Sequence, residues 1–319
     1  MTASDIDHII NHLSLKKSLR RWRWIALALF IVALIALFAR GESLPTASNH
    51  VARLAVTGLI TGNDQQLQLL KDIADSGTAK ALIVRIDSPG GTTAGSEALY
   101  EEIRKVAEKK PVVAVMDTVA ASGGYITALA ADRIYARGNT ITGSIGVIFS
   151  YPEISGLLNT IGVRIEELKS GELKAEPSPY KPASEKAKQV SMEMIMDGFT
   201  WFKGLVAERR KLSPERTAVL SDGRVYSGRQ ALKEGLIDAI GGEDEAMAWL
   251  ASEKKVPEGL KIEDWRPPKP WLEGALGASI PDTILSSLGL SPLQQMAERS
   301  RLDGLLALWH PSLSNANAE

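Results

Sequence analysis

The stretch "KALIVRIDSPGGTTAGSEALYEEIRKVAEKKPVVAVMD", Lys80 to Asp117, decides the fold. It begins with "KALIVRID" (Lys80 to Asp87) and ends with "PVVAVMD" (Pro111 to Asp117), two short β-branched-rich runs bounded by turn residues. Continuous apolar runs of that length are how strands buried on both faces look. Between them "AGSEALYEEIRKVAEKK" (Ala94 to Lys110) carries apolar residues at helical spacing with charges on its other face. Strand, helix, strand implies a right-handed crossover and a parallel pair. Upstream, "VARLAVTGLI" (Val51 to Ile60) and "NDQQLQLLKDIADS" (Asn63 to Ser76) repeat the pattern. The expectation is an α/β domain with a parallel sheet built from βαβ units.

Downstream, "DRIYARG" and "IGVIFS" extend the predicted sheet, and "VRIEELKSGELKAEPSPY" (Val163 to Tyr180) reads as a strand running into a loop stiffened by Pro177 and Pro179. A long helix is expected from Ala183 to Leu212, with Met192, Ile195, Phe199, Phe202 and Val206 in one stripe. Such a stripe serves core or subunit packing. A further helix is expected near Glu243 to Glu253. The tail from Val256 to Glu319 is rich in Pro, Leu and Ser; its amphipathic piece, Ser291 to Trp309, suits docking on the domain, a partner or a membrane surface.

Composition excludes several classes. The 319 residues are 24% charged and 45% hydrophobic, ordinary for a globular chain. A net charge of -1 gives no basic footprint, which argues against nucleic acid as partner. The absence of cysteine removes disulfides, thiolate metal sites and a cysteine nucleophile. No metal or cofactor site is expected.

The N-terminus differs from the rest. "WIALALFIVALIALFA", Trp24 to Ala39, is apolar without a charge. A helix of that length spans roughly 24 Å, a little under the ~30 Å hydrocarbon core, so flanking Trp and Arg side chains would snorkel or the bilayer thin. A cleaved signal peptide is the alternative, but the polar leader is long and "ALFARGE" lacks a small-x-small cleavage pattern. Lys16, Lys17, Arg20, Arg21 and Arg23 precede the span, whereas only Arg40 and Arg53 follow it closely. That asymmetry keeps residues 1–23 cytoplasmic, makes 24–40 a single-pass anchor in the cytoplasmic (inner) membrane, and sends the rest to the extracytoplasmic, periplasmic side. Residues 41–50, "GESLPTASNH", read as a linker.

Two glycine elements carry candidate chemistry. In "DTVAASGGYITALAAD" (Asp117 to Asp132), Ser122 follows an apolar strand and opens a helical run. It reads equally as an N-cap followed by packing glycines and as a nucleophile at a strand-to-helix junction. The four histidines are His8, His12, His50 and His310, so none lies in the body of the chain to complete a Ser-His-Asp triad. Lysine, acting as the neutral amine, is the remaining base for serine. In "DSPGGTTAGS", Gly90 and Gly91 suit either an ordinary turn or backbone N–H donors at the C-terminal end of a parallel strand.

"RIDSPGG" (Arg85 to Gly91), "AASGGY" (Ala120 to Tyr125), "TGSIGVI" (Thr142 to Ile148), "LKSGELKAEPSP" (Leu168 to Pro179) and "DGRVYSGRQALKEGLID" (Asp222 to Asp238) together resemble the signal peptide peptidase A family of serine peptidases. The resemblance covers about residues 51–245 and matches in order and spacing. It implies the Clp protease/crotonase-like fold and a Ser/Lys dyad. Ser122 would be the nucleophile and Lys174 the general base, with Lys169 as nearest rival; Ser144 would orient the lysine, and Gly91 with Gly90 would form the oxyanion hole. Ile126, Thr92, Leu173 and Ala175 depart from the family's usual neighbours, which bears on substrate preference. One copy of the motif set matches the short, single-unit form, in which adjacent protomers of a homo-oligomer share each active site.

The expected organisation is therefore a catalytic domain over residues 51–255 and a helical, Pro-rich extension over 256–319. The expected activity is a membrane-anchored serine endopeptidase that degrades cleaved signal peptides and other unfolded segments. The rivals are a crotonase-like acyl-CoA enzyme and a non-catalytic membrane scaffold.

Overall fold

The computed structural model describes residues 22–27, 29–30, 48–267 and, for the backbone, 306–308. Two compact units result, residues 1–47 and 48–319. In the first, residues 22–27 and 29–30 are helical (α1). Most of the expected span 24–40 lies outside the described residues, and among those described no helix is long and apolar enough to cross a membrane.

The second unit begins β1 (His50–Ile60), α2 (Asp64–Asp75), β2 (Ala79–Thr92), α3 (Thr93–Ala107), β3 (Val112–Ala121), α4 (Gly123–Leu129), β4 (Arg133–Ala136) and β5 (Ile141–Gly143). It continues with α5 (Ser155–Thr160), α6 (Glu185–Arg210), α7 (Pro214–Leu220), β6 (Val225–Ser227), α8 (Gly228–Lys233), β7 (Ala239–Ile240), α9 (Glu243–Lys254), β8 (Lys261–Asp264) and β9 (Leu306–Leu308). The sheet runs β6-β5-β3-β2-β1-β8, with β4 also pairing β3 and carrying β7 at its far edge. β1, β2, β3 and β4 pair in parallel, as the βαβ reading requires.

Alternation along the strands explains the two-sided burial. Ala52, Leu54 and Val56 of β1 and Leu82, Val84 and Ile86 of β2 join the larger core with Leu70 and Ile73 of α2, Ile103 of α3 and Phe202 of α6. Their neighbours Val51, Ala81 and Ile83 face the opposite way and meet Ala246 and Leu250 of α9. Helices therefore cover both faces, which is why these strands read as continuous apolar runs.

β3 is forked. Val113 to Met116 pair with β4, whereas Val119 to Ala121 pair with β5. β5 then turns antiparallel to β6. The fork leaves the end of β3, just before Ser122, beside an antiparallel pair whose strands are separated in the chain by α5, α6 and α7.

Five expectations change, the first being that "IGVIFS" forms no strand beyond a single bridge at Ile148, the sheet being extended instead by β5 just before it. "SPGG" is the bulged last stretch of β2, with register shifts at Ile86/Ser88 and Thr57/Leu59. Residues 163–169 form no strand, having no partner strand among the described residues. The α6 stripe is only partly buried: Phe202 and Val206 are core, Ile195 and Phe199 are half-buried, and Met192 is exposed, as are Met194 and Met196 outside the stripe. The sheet also reaches past residue 255, because β8 pairs in parallel with β1 from His50 to Arg53. Of the tail piece expected at Ser291 to Trp309, only β9 is described.

Phe202 is fully buried between α6 and the sheet. Phe202→Ala should destabilise the domain by about 3–5 kcal/mol, read as a fall in the urea midpoint at unchanged slope.

Candidate active site

Ser122 stands where β3 hands over to α4, and its backbone is unusual: φ is 53° and ψ is -115°. A non-glycine residue there is strained by about 1–3 kcal/mol and persists only when its surroundings hold it. They do. Its N–H donates to the Gly143 carbonyl at 2.8 Å, and its own carbonyl accepts from the Ile126 N–H at 2.9 Å. Every residue of α4 is buried. The Tyr125 hydroxyl ties the helix down by donating to the Leu236 carbonyl at 2.7 Å, and burial pushes that phenol's pKa well up.

The N-cap alternative does not hold. A capping serine has extended backbone and accepts from the first helical turn; Ser122 has neither feature. Its side chain is 1% exposed, and its hydroxyl makes no hydrogen bond among the described residues. A serine on a strained strand-to-helix turn with an uncommitted hydroxyl has the form of a nucleophile elbow.

The end of β2 is fitted against this turn by backbone contact. A Cβ on Gly91 would lie 1.9 Å from the Ile60 carbonyl oxygen, and one on Gly124 would lie 2.6 Å from the Ser88 carbonyl oxygen. Neither position admits a side chain. Gly90 has φ 106°, which favours glycine for its own reason. Ser88, fully buried, organises the stretch: its hydroxyl donates to the Gly58 carbonyl at 2.6 Å and accepts from the Gly90 N–H at 3.1 Å. The Gly90 N–H is thus committed within the fold. Ser88 opposes Ala120 in the β2–β3 register, two residues before Ser122, and its carbonyl lies against Gly124 of α4, so the end of β2 borders the turn that carries Ser122.

Ser144 joins the same corner. It follows Gly143, the acceptor for Ser122, has φ 51°, and donates its N–H to the Arg224 carbonyl at 2.8 Å. Ser122, Ser144, Gly90 and Gly91 therefore cluster at the C-terminal end of the parallel strands, where ligands of such sheets bind.

The lysines stand apart from that cluster. Lys169 is held by Glu167 at 2.7 Å and Glu176 at 2.9 Å, and these bonds raise its pKa, so it stays protonated and is unsuited to be a base. Glu176, with a side chain only 5% exposed, is lowered to about 2, first by Lys181 and then by Lys169. Lys174 is exposed on a turn closed by its N–H to the Gly171 carbonyl at 3.1 Å. Its ammonium group makes no ion pair or hydrogen bond among the described residues, and none joins it to Ser122. His50, the one histidine described, lies at the opposite end of the sheet, stacked on Trp265 and accepting from its indole at 3.1 Å.

Two residues were given no role by sequence reasoning. Ser88 sat inside the quoted "SPGG" motif, but its two hydrogen bonds depend on β1. Gly123, the first residue of α4, has an N–H without an intrahelical acceptor beside Ser122.

The comparisons with known proteins agree with this geometry. The model of peptidase family S49 matches residues 104–257. The chain is 35% identical over 245 residues to a "Putative protease" of Synechocystis, covering 76% of this chain and 88% of that one. It is 34% identical over 232 residues to the "Putative signal peptide peptidase SppA" of Enterococcus faecium, covering 68% and 67%. It is also 34% identical over 261 residues to the "Serine protease SPPA, chloroplastic" of Arabidopsis thaliana, covering 81% of this chain but 37% of that one. Identity at this level over such shares of the chain, on a fold that puts Ser122 on a strained elbow, shows that the chain belongs to peptidase family S49 and is a serine peptidase of the signal peptide peptidase A type.

Proposed function

We propose that Ser122 and Lys174 form a Ser/Lys dyad, completed between neighbouring protomers, that cleaves released signal peptides and other unfolded segments on the extracytoplasmic side of a membrane. The observation that carries this reading is the uncommitted pair: a buried Ser122 whose hydroxyl makes no capping bond, and an exposed Lys174 whose ammonium has no partner among the described residues. Neutral Lys174 would take the proton of Ser122, and the oxygen would attack the scissile carbonyl. The Gly91 N–H would hold the oxyanion, with Gly123 as second donor, since the Gly90 N–H already serves Ser88. Lys174, oriented by the Ser144 hydroxyl, would then protonate the leaving amine, and water would release the acyl group.

Assembly explains where the lysine goes. The segment that bears it exposes Ile148, Tyr151, Leu157, Ile161, Val163, Ile165 and Leu168. An apolar run of that extent beside a polar turn is the mark of a contact surface. Covering it with a second copy would bury the segment and favour the neutral amine that a lysine base requires. The exposed methionines of α6 extend the same tendency. The N-terminal apolar sequence supplies the anchor, and its charge asymmetry sets the orientation.

Ser122→Ala and Lys174→Ala should each lower peptide cleavage by at least about 10³-fold. Mixing the two purified variants should restore part of the activity, because some sites then draw an intact serine and an intact lysine from different chains. Two inactive variants that never complement would sink the shared site.

The Lys169–Glu176–Lys181 cluster sets the base of the loop that presents Lys174. Because the Glu176 carboxyl is lowered in the fold to about 2, its hold on the loop is complete above its unfolded value near 4.3 and is lost as pH falls from there toward 2. Glu176→Gln should loosen residues 167–181 at neutral pH to the degree that acid loosens the wild type. Hydrogen–deuterium exchange of that segment, corrected for the intrinsic effect of pH, checks this.

A further inference from the structure

At its end, β2 has one edge closed and one open. Gly90 and Gly91 pair with Leu59 and Ile60 of β1 on one side. On the other side β3 accompanies β2 only as far as Ser88, opposite Ala120, and then turns into Ser122 and α4. The open edge beyond that point is where an extended peptide would add as a strand beside the nucleophile.

In this structure the chain itself is there. β9 runs antiparallel to β2, with Leu308 opposite Gly90, Ala307 opposite Gly91 and Leu306 opposite Thr92. Since β1 holds the first edge, β9 takes the second. The ladder thus covers Gly91, the glycine proposed as oxyanion donor, just past the point where β3 leaves β2 for Ser122. Its sequence, Leu-Ala-Leu within "GLLALW", is uncharged and apolar, like the apolar stretch of the signal peptides proposed above as substrates.

We infer that residues 306–308 are a tethered, substrate-like strand that occupies the peptide edge of the active site and competes with incoming peptide. The inference rests on the reading of Ser122 and Gly91 as peptidase machinery, and it adds the occupant and its regulatory effect. A ladder of only three residues is displaceable, yet tethering keeps it at a local concentration on the order of millimolar, so free peptide must outcompete it. A strand that only sealed an exposed edge against aggregation would have no such effect on substrate.

The test uses the full chain. Ala307→Pro removes a ladder N–H and fits poorly in a paired strand. The variant should cleave an Ala/Leu-rich fluorogenic peptide with a KM about five- to tenfold lower and kcat within about twofold, the loss of roughly one or two net hydrogen bonds from the competitor. An unchanged or higher KM would overturn the proposal. A second arm needs no catalysis: a fluorescein-labelled peptide, GLLALWHP, should bind Ser122→Ala/Ala307→Pro more tightly than Ser122→Ala by a similar factor, read by anisotropy. Equal affinities would overturn it as well. If no form of the protein cleaves but the labelled peptide still discriminates, the peptidase reading fails and the tethered strand stands; if the wild type cleaves and Ala307→Pro matches it in both arms, the strand fails alone.

Discussion

Backbone meets backbone at the C-terminal end of this sheet, and the rest of the site depends on that contact. Gly91 lies against the Ile60 carbonyl and Gly124 against the Ser88 carbonyl, each closer than any Cβ permits. Because β1, β2 and α4 touch without side chains between them, the end of β2 and the start of α4 have little freedom to shift. Ser122 is then forced into a conformation that no serine adopts unaided, with Gly143 fixing its N–H and Tyr125 anchoring the helix behind it. The strain is local, and the restraint comes from three separate elements.

A second constraint is electrostatic and acts on the lysine-bearing loop. Glu176 is nearly buried, accepts from Lys169 and Lys181 through one oxygen, and keeps its other oxygen buried without a partner among the described residues. These bonds commit the Lys169 ammonium and keep it charged. Lys174, two residues before Glu176 in the chain, sits on a turn beside this anchored base and makes no ion pair among the described residues. The contrast with Ser122 is physical: the serine is positioned by the core of its own chain, whereas the lysine is positioned by surface ion pairs on a segment whose apolar side chains face water.

Much of this was legible in the sequence because its causes are local. The βαβ pattern follows from apolar runs and helical spacing within Lys80 to Asp117, and the glycine elements announce close approach before any coordinate is known. What the sequence concealed depends on partners far along the chain. "SPGG" has turn composition, yet it is strand because β1 lies close enough to pair with Gly90 and Gly91. "VRIEEL" has strand composition, yet it pairs with nothing described. Met192 and Phe202 share one helical stripe, but only the second meets the sheet, since α6 extends beyond the core at its N-terminal half. β8 and β9 are short pieces in polar or Pro-rich surroundings, and their strand character comes from the edges they join.

The fork in β3 has a consequence for how the molecule tolerates change. Its first half is locked between β2 and β4 in the interior, while its last residues border β5, which in turn pairs with β6 from much further along the chain. Tyr226 of β6 belongs to the larger core, so the stretch between β5 and β6, which carries α5, the Lys174 turn and α6, is tied at both ends to the same edge of the sheet. Ser122 and Ser144 flank this seam, one on each side. Changes of length in the exposed stretch between β5 and α6 can therefore be absorbed between fixed ends, whereas Ser122, at the end of β3, stays under the separate discipline of core packing.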